Sequence, residues 1–146
     1  MSQFLGISLC NPANIRCGSN WKGSLTPCQG FARFSSFEYG VRALIVLLRT
    51  YHYKYKLTSI SKVLHRFAPL SENNTYAYIA NVTRWMNHSY RSHGVNANIN
   101  DDTCFCWFRN RSTPSFSCRC LMKAICRQET NYELTDEMID KALNLL

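Results

Sequence analysis

The 146-residue chain contains no apolar run approaching the roughly 20 residues that a membrane helix needs, so no membrane span is expected. Its opening, Met1-Ser2-Gln3-Phe4-Leu5-Gly6-Ile7, has no basic segment leading into an apolar one, so no secretory signal peptide is expected either. Acidic residues are scarce, nine against seventeen Lys and Arg, which leaves a net charge of +8. There is no glycine-rich phosphate loop and no internal repeat. His52, His65, His88 and His93 show no metal-ligand spacing.

What is present fits a folded domain. Hydrophobic residues make up 46% and aromatics 13%, enough to bury a core and too many for disorder. At this length one domain, residues 1–146, is expected. The positive charge selects polyanions as partners: nucleic acid, anionic lipid or the acidic bacterial wall. The basic residues are scattered and form no Lys/Arg block, which favours broad electrostatic attraction over a dedicated nucleic-acid arm.

Eight cysteines are a high count. Cys104-x-Cys106 and Cys118-x-Cys120 leave one residue between paired thiols, whereas structural zinc ligands are usually two to four apart. No metal site and no other cofactor is expected, and most of the thiols are expected to be buried as small hydrophobes. One or two disulfides would form only in an oxidising compartment.

Residues 1–35 read as turns and short strands, punctuated by Asn11-Pro12, Gly18-Ser19-Asn20, Gly23-Ser24 and Thr26-Pro27. Ser35-x-x-Glu38 reads as a capping box, followed by Val41, Leu44, Ile45, Leu47 and Leu48 at helical spacing to about Tyr53. Thr58 is placed to cap a second helix, with Ile60, Val63, Leu64 and Phe67 on one stripe and Pro69 as its stop. A third helix is expected from about Asn74 to Met86, a fourth from about Phe116 to Gln128, and a fifth after Thr135. Residues 87–116 carry no clear pattern. Five helices and one small β-hairpin region make an α+β, mainly α class.

The segments Gly6-Ile7, Asn11-Pro12-Ala13-Asn14-Ile15-Arg16, Trp21-x-Gly23, Phe31-x-x-Phe34-x-Ser36-x-Glu38-Tyr39-Gly40-Val41-Arg42-Ala43 and Tyr51 together resemble small phage and prophage proteins with an "NPGNIR"-type opening. Ala68-Pro69, Glu72-Asn73-x-Thr75, Tyr78-Ile79 and, near the end, Ala124-Ile125 and Glu129 extend the resemblance. Such proteins are often labelled phage structural proteins, and they look distantly similar to lysozyme-superfamily glucosaminidases and lytic transglycosylases. This chain departs at Ala13, where glycine is usual, at Leu9 and Cys10, and at Thr130-Asn131 in place of Asn-Gly. The stretch from Cys104 to Cys120 matches nothing in that group.

The resemblance implies a lysozyme-like domain that cleaves peptidoglycan glycan strands, as muramidase, glucosaminidase or lytic transglycosylase. Cleavage needs a carboxylic acid to protonate the leaving oxygen. Glu38 reads as a helix cap, Asp136, Glu137 and Asp140 belong to the last helix, and Asp101 and Asp102 fall in a loop. Glu72 reads as the opening of the third helix. Glu129 and Glu133 remain, and with the resemblance Glu129 is the candidate acid, at the end of an apolar helix where burial and the helix's negative end favour the protonated form. Lysozyme tunes its own catalytic glutamate in a comparable way, with an apolar pocket.

In lysozyme-like folds the acid's helix precedes the hairpin, and here it follows. The same site would form in circularly permuted order if the two ends of the chain pack together. Asn14, Trp21, Tyr78, Glu72 and Glu133 are the expected substrate-binding residues around it. The expected partner is bacterial peptidoglycan, met by a monomer. The expected setting is phage lysis or entry, or an antibacterial effector, in a phage virion or a bacterial cytoplasm with delivery to the periplasm and wall. Two other readings compete: a non-catalytic wall-binding or virion component of the same fold, and a basic nucleic-acid-binding module.

Overall fold

A computed structural model describes residues 3–146, with side chains from Leu5 onward. Met1 and Ser2, part of the opening read for a signal peptide, lie outside the described residues. The described chain is mainly helical, an α+β arrangement of six helices and two short antiparallel strand pairs. In order these are α1 (Gln3–Ser8), β1 (Ser24–Cys28), β2 (Phe31–Phe34), α2 (Phe37–Tyr53), α3 (Ile60–Phe67), α4 (Thr75–Ser92), β3 (Phe108–Asn110), β4 (Thr113–Pro114), α5 (Phe116–Thr130) and α6 (Asp136–Leu143). Among the described residues no helix is long and apolar enough to cross a membrane.

The chain forms two compact units. One, the terminal unit, joins the residues up to Leu48 with Ile125–Leu146. The other, the middle unit, is Arg49–Ala124.

In the terminal unit β1 and β2 pair antiparallel, Ser24 opposite Phe34 and Cys28 opposite Phe31. Gln29 and Gly30 make the reversal, both at positive φ (52° and 83°), the backbone that matches a tight hairpin to the strands' twist. Phe31, Ala32 and Phe34 face inward and Arg33 outward. The first half of α2 supplies buried Val41, Leu44, Ile45 and Leu48. Gly40 allows a close approach, because a Cβ there would stand 2.1 Å from the Cys10 carbonyl oxygen. At the other end of the chain, α5 closes on Asn131, whose left-handed φ of 56° lets its N–H bond the Arg127 carbonyl at 3.0 Å. Thr135 then caps α6, accepting from the Met138 N–H at 3.2 Å.

The middle unit is built on the α3–α4 pair. Ile60, Val63 and Leu64 of α3 and Tyr78, Ile79, Val82 and Met86 of α4 are buried. Its long connection is tied down by side chains. Asn87 donates to the Ile99 carbonyl and accepts from the Ile99 N–H, both at 2.8 Å. The Trp107 indole donates to the Leu57 carbonyl at 2.9 Å.

Several expectations shift. A sixth helix, α1, lies in the stretch read as turns and strands, because six residues make under two turns and carry no measurable periodicity. Ser36, not Ser35, caps α2, its Oγ facing the Tyr39 N–H at 3.4 Å, so Glu38 sits one position too early to complete a capping box. Ser59, not Thr58, caps α3. Thr58 instead gives its carbonyl to the Phe105 N–H at 2.7 Å. The third expected helix continues past Met86 to Ser92, where Gly94 (φ 77°) follows its end. The patternless stretch contains the β3–β4 ribbon, too short to alternate legibly.

Candidate functional site

The site grows from the Asn11-Pro12 turn. Asn11 is fully buried, and its amide donates to the carbonyls of Ile15 and Ala32 and accepts from the Ile15 N–H, each at 2.9 Å. One side chain thereby closes the loop on itself and fastens it to β2. Backbone bonds from Ala32 to Ile15 (3.0 Å) and from Phe34 to Leu9 (2.9 Å) extend the seam. The loop's shape forces Asn14 into the left-handed region at φ 51°, a conformation asparagine tolerates better than most residues.

From there Asn14 reaches the end of α5. Its Nδ2 donates to Glu129 Oε1 at 3.1 Å, with the Glu129 carbonyl oxygen at 3.3 Å. The next residue, Thr130, gives its hydroxyl to the Pro12 carbonyl at 2.7 Å. Two residues separated by more than a hundred positions are thus held side by side, and the loop and the helix end are joined twice. Glu129 is half-buried and Asn14 is 8% exposed.

The far side of the Asn14 amide is enclosed but unpaired. Its Oδ1 is buried with no hydrogen-bond partner among the described residues. It points toward Gly6, where a Cβ would stand 2.2 Å from Oδ1 and 2.6 Å from Thr130 Cγ2. A left-handed backbone and an unpaired buried acceptor together cost a few kcal/mol, and strain of this kind gathers where a side chain must be held in one place.

Beside Glu129 the Cys126 thiol and the Tyr132 phenol are both held toward their neutral forms. Burial, and then the nearby Glu129 charge, push the Cys126 thiol far above its ordinary range. Tyr132 is raised by burial and then by Cys126, Glu38 and Cys10, and its ring stacks on Phe37 at 5.1 Å. A half-buried carboxyl whose orientation is fixed by an amide can serve as a proton donor and acceptor in a substrate site.

The other expected site residues are distributed unevenly. Trp21 is half-buried in the terminal unit, with its indole nitrogen buried and unpartnered among the described residues. Glu133 is exposed beyond the end of α5. Glu72 and Tyr78 belong to the middle unit. Glu72 lies exposed in the turn before α4 rather than opening it, since Asn74 is the cap. Tyr78 is 3% exposed, so its ring packs in that unit and offers no cleft wall. A separate groove of about 580 Å³ runs between α3 and α4, lined among others by His65, Tyr76, Arg84 and Arg91, and none of the expected residues lines it.

Asn11, Gly6 and Thr130 do more than their sequence context suggested. The only signal was their place in or beside the Asn-Pro segment and Glu129.

Among the described residues no cluster of three or more His, Cys, Asp or Glu could hold a metal ion. No disulfide links the cysteines. Burial is less general than expected: Cys118, Cys120 and Cys126 are buried, but Cys17, Cys104 and Cys106 are exposed, because the last two sit in the connection before β3 rather than in a helix.

No protein-family model matches the chain. It is 40% identical over 82 residues to "Protein P5" of Pseudoalteromonas phage PM2, across 51% of this chain and 50% of that protein. The chain therefore spans about half the length of the curated relative it matches, and its similarity is to a phage protein.

Proposed function

We propose that the terminal unit carries a glycan-strand-cleaving site of a phage-borne wall-degrading protein, with a lysozyme-like arrangement in permuted chain order and Glu129 as the acid. The observation that carries this reading is the 3.1 Å bond between Asn14 and Glu129, which brings the Asn-Pro segment and the glutamate helix together from opposite ends of the chain. That is the pairing the permuted order requires.

In the reaction, protonated Glu129 gives its proton to the glycosidic oxygen as the C–O bond breaks. The resulting carboxylate then takes a proton from an attacking water, giving hydrolysis, or from a hydroxyl of the sugar itself, giving transglycosylation. Asn14 keeps the carboxyl in one rotamer, so that the oxygen facing substrate is constant from turnover to turnover. The half-buried Trp21 leaves part of its ring surface for contact with a sugar.

The test is Glu129→Gln, which preserves shape and hydrogen bonding and removes the proton. Release of soluble fragments from purified walls should fall at least about 100-fold, the lower end of what a general acid contributes. The melting temperature should barely move, and Glu133→Gln should remain close to wild type. A fully lytic Glu129→Gln would overturn the assignment. A wild type that pellets with walls and never cuts them would favour a non-catalytic wall-binding or virion component.

A further inference from the structure

The positive charge is not shared between the two units. Arg49–Ala124 holds eleven of the seventeen Lys and Arg and three of the nine Asp and Glu, a balance of +8. The terminal unit holds six of each sign and balances at zero. A charge shared only for solubility would be spread over both. The middle unit's carboxylates, Glu72, Asp101 and Asp102, sit in the turn before α4 and in a loop bonded to the start of α3, where the Ser61 N–H meets the Asp101 carbonyl at 3.0 Å.

Within the middle unit the cations are organised on aromatic rings at the end of α2, in the run Arg49-Thr50-Tyr51-His52-Tyr53-Lys54-Tyr55-Lys56. Arg66 lies 3.6 Å from the centroid of Tyr55 and 5.6 Å from that of Tyr51, and Lys54 lies 5.3 Å from Tyr55. On the neighbouring residues, Arg111 lies 4.9 Å from the Tyr53 ring, and its carbonyl accepts from Arg49 at 2.9 Å. Tyr53, His52 and buried Phe108 pack edge and face at 4.7 to 6.3 Å, fixing the β3–β4 ribbon against this end of the helix. Lys54, Lys56, Arg66, Arg109 and Arg111 are all exposed.

A guanidinium lying on a ring keeps its N–H edge turned outward, and that edge fits an oxyanion with two parallel bonds. Stacking also removes much of the freedom a long side chain would otherwise lose on binding. The same stacking covers ring faces that single-stranded nucleic acid would need as base platforms. Repeated oxyanions without bases are what the free carboxylates of peptidoglycan's stem peptides present.

We propose that the arginine- and lysine-capped tyrosine cluster at the end of α2, with the β3–β4 ribbon, is a wall-anchoring surface that grips the carboxylates of peptidoglycan independently of the Glu129 site. The wall as partner rests on the glycan-cleaving reading, whereas the surface itself rests on charge and geometry.

The experiment measures pelleting of the full chain with purified, peptide-bearing walls, at salt from about 0.05 to 0.3 M, where exposed charges pass from weak to strong screening. A Lys54→Gln, Arg109→Gln, Arg111→Gln triple variant should bind walls at least tenfold more weakly at low salt and lose most of the salt dependence. Lys56→Gln with Arg109→Gln, which leaves every stacked ring covered, should show a smaller loss in the same direction and guards against a folding defect in the triple variant. Glu129→Gln should bind as wild type does. Cleavage of a soluble, uncharged N-acetylglucosamine oligomer should be unchanged in both cation variants. If purified walls are never cut but wall binding still depends on the cluster, the catalytic reading fails and this one stands. Wall binding by both cation variants equal to wild type would overturn it. So would tighter binding of duplex DNA than of walls under the same conditions, in favour of a nucleic-acid partner.

Discussion

The two units solve different problems with different chemistry. The terminal unit is electrically neutral, and its distinctive contacts are short, buried and mutual: Asn11 with Ile15 and Ala32, Thr130 with Pro12, Asn14 with Glu129. The middle unit carries the whole net charge, and its distinctive contacts are cations laid on exposed or half-buried rings. Buried amide networks hold one geometry, because each lost bond strands a polar group away from water. Cations on rings hold a direction loosely and leave donors available, even where one is used locally as by Arg66 on the Tyr51 hydroxyl. The first arrangement suits positioning a reacting group, and the second suits gripping a large, irregular anion.

Breaking the amide network should have the largest effect. Asn11→Ala strands the Ile15 N–H and the Ala32 carbonyl in a buried place, while the Ile15 carbonyl keeps its bond from the Ala32 N–H, and this should cost about 2–5 kcal/mol. At roughly 2–4 °C per kcal/mol, calorimetry should record a fall of about 4–20 °C. Met86→Ala in α4 should cost a similar amount by leaving a cavity. Hydrogen exchange then sharpens the comparison. Asn11→Ala should lose protection first in Leu9–Phe34 and around Thr130, and Met86→Ala first in α3 and α4. Identical patterns would mean that the two units are one cooperative structure.

Gly6→Ala should act more locally. The new Cβ collides with Asn14 Oδ1 and Thr130, so either α1 or the amide must move, at about 1–3 kcal/mol. Wall-cleaving activity should fall by more than the stability loss explains, because the displaced group orients Glu129.

Thiol labelling is milder. At neutral pH, Cys17, Cys104 and Cys106 should react with a maleimide in the folded protein. Buried Cys118 and Cys126, both raised far above their ordinary range by desolvation, should react only after denaturation. Peptide mapping by mass spectrometry reads the difference.

The smallest effect is a pH dependence confined to the middle unit. Burial, and then the Lys56 charge, hold His52 below its ordinary value. The folded state therefore binds this proton less readily than the unfolded chain. The stability it contributes is present above the unfolded value of about 6.5 and is lost as pH falls through the lower, folded one. His52→Gln should flatten that part of a melting-temperature profile between neutral and mildly acidic pH.

Much of this organisation was legible in the residues. The helices α2 to α6 announce themselves through caps and apolar spacing; the caps of α2 and α3 shift by one position, to Ser36 and Ser59, and α4 runs on from Met86 to Ser92. Choosing between adjacent hydroxyls depends on which backbone leaves the helix first, and sequence carries no record of that. The β3–β4 ribbon was invisible because its five strand residues are held by the Trp107 and Ser115 backbone and by packing on His52 and Tyr53, not by alternation. Elimination among few carboxylates leaves Glu129 and Glu133, and only the resemblance selects Glu129. Its pairing with Asn14 was inferable only as a consequence of permuted order, since no local pattern links positions so far apart. Tyr78 misled because a helical aromatic reads the same whether it faces a cleft or a core, and here it faces the core. The division of charge between the units was hidden by the scatter of basic residues along the chain and emerges only once the unit boundaries are known.

The central claim is that the Asn14–Glu129 pair belongs to a glycan-cleaving site. It is tested most directly by mass spectrometry of what the wild-type protein releases from purified peptidoglycan. The expected products are sugar fragments cut between rings, with stem peptides and cross-links intact, and absent when Glu129→Gln is used. Walls left whole by the wild type, or fragments cut in the peptides with glycan strands unbroken, would contradict it.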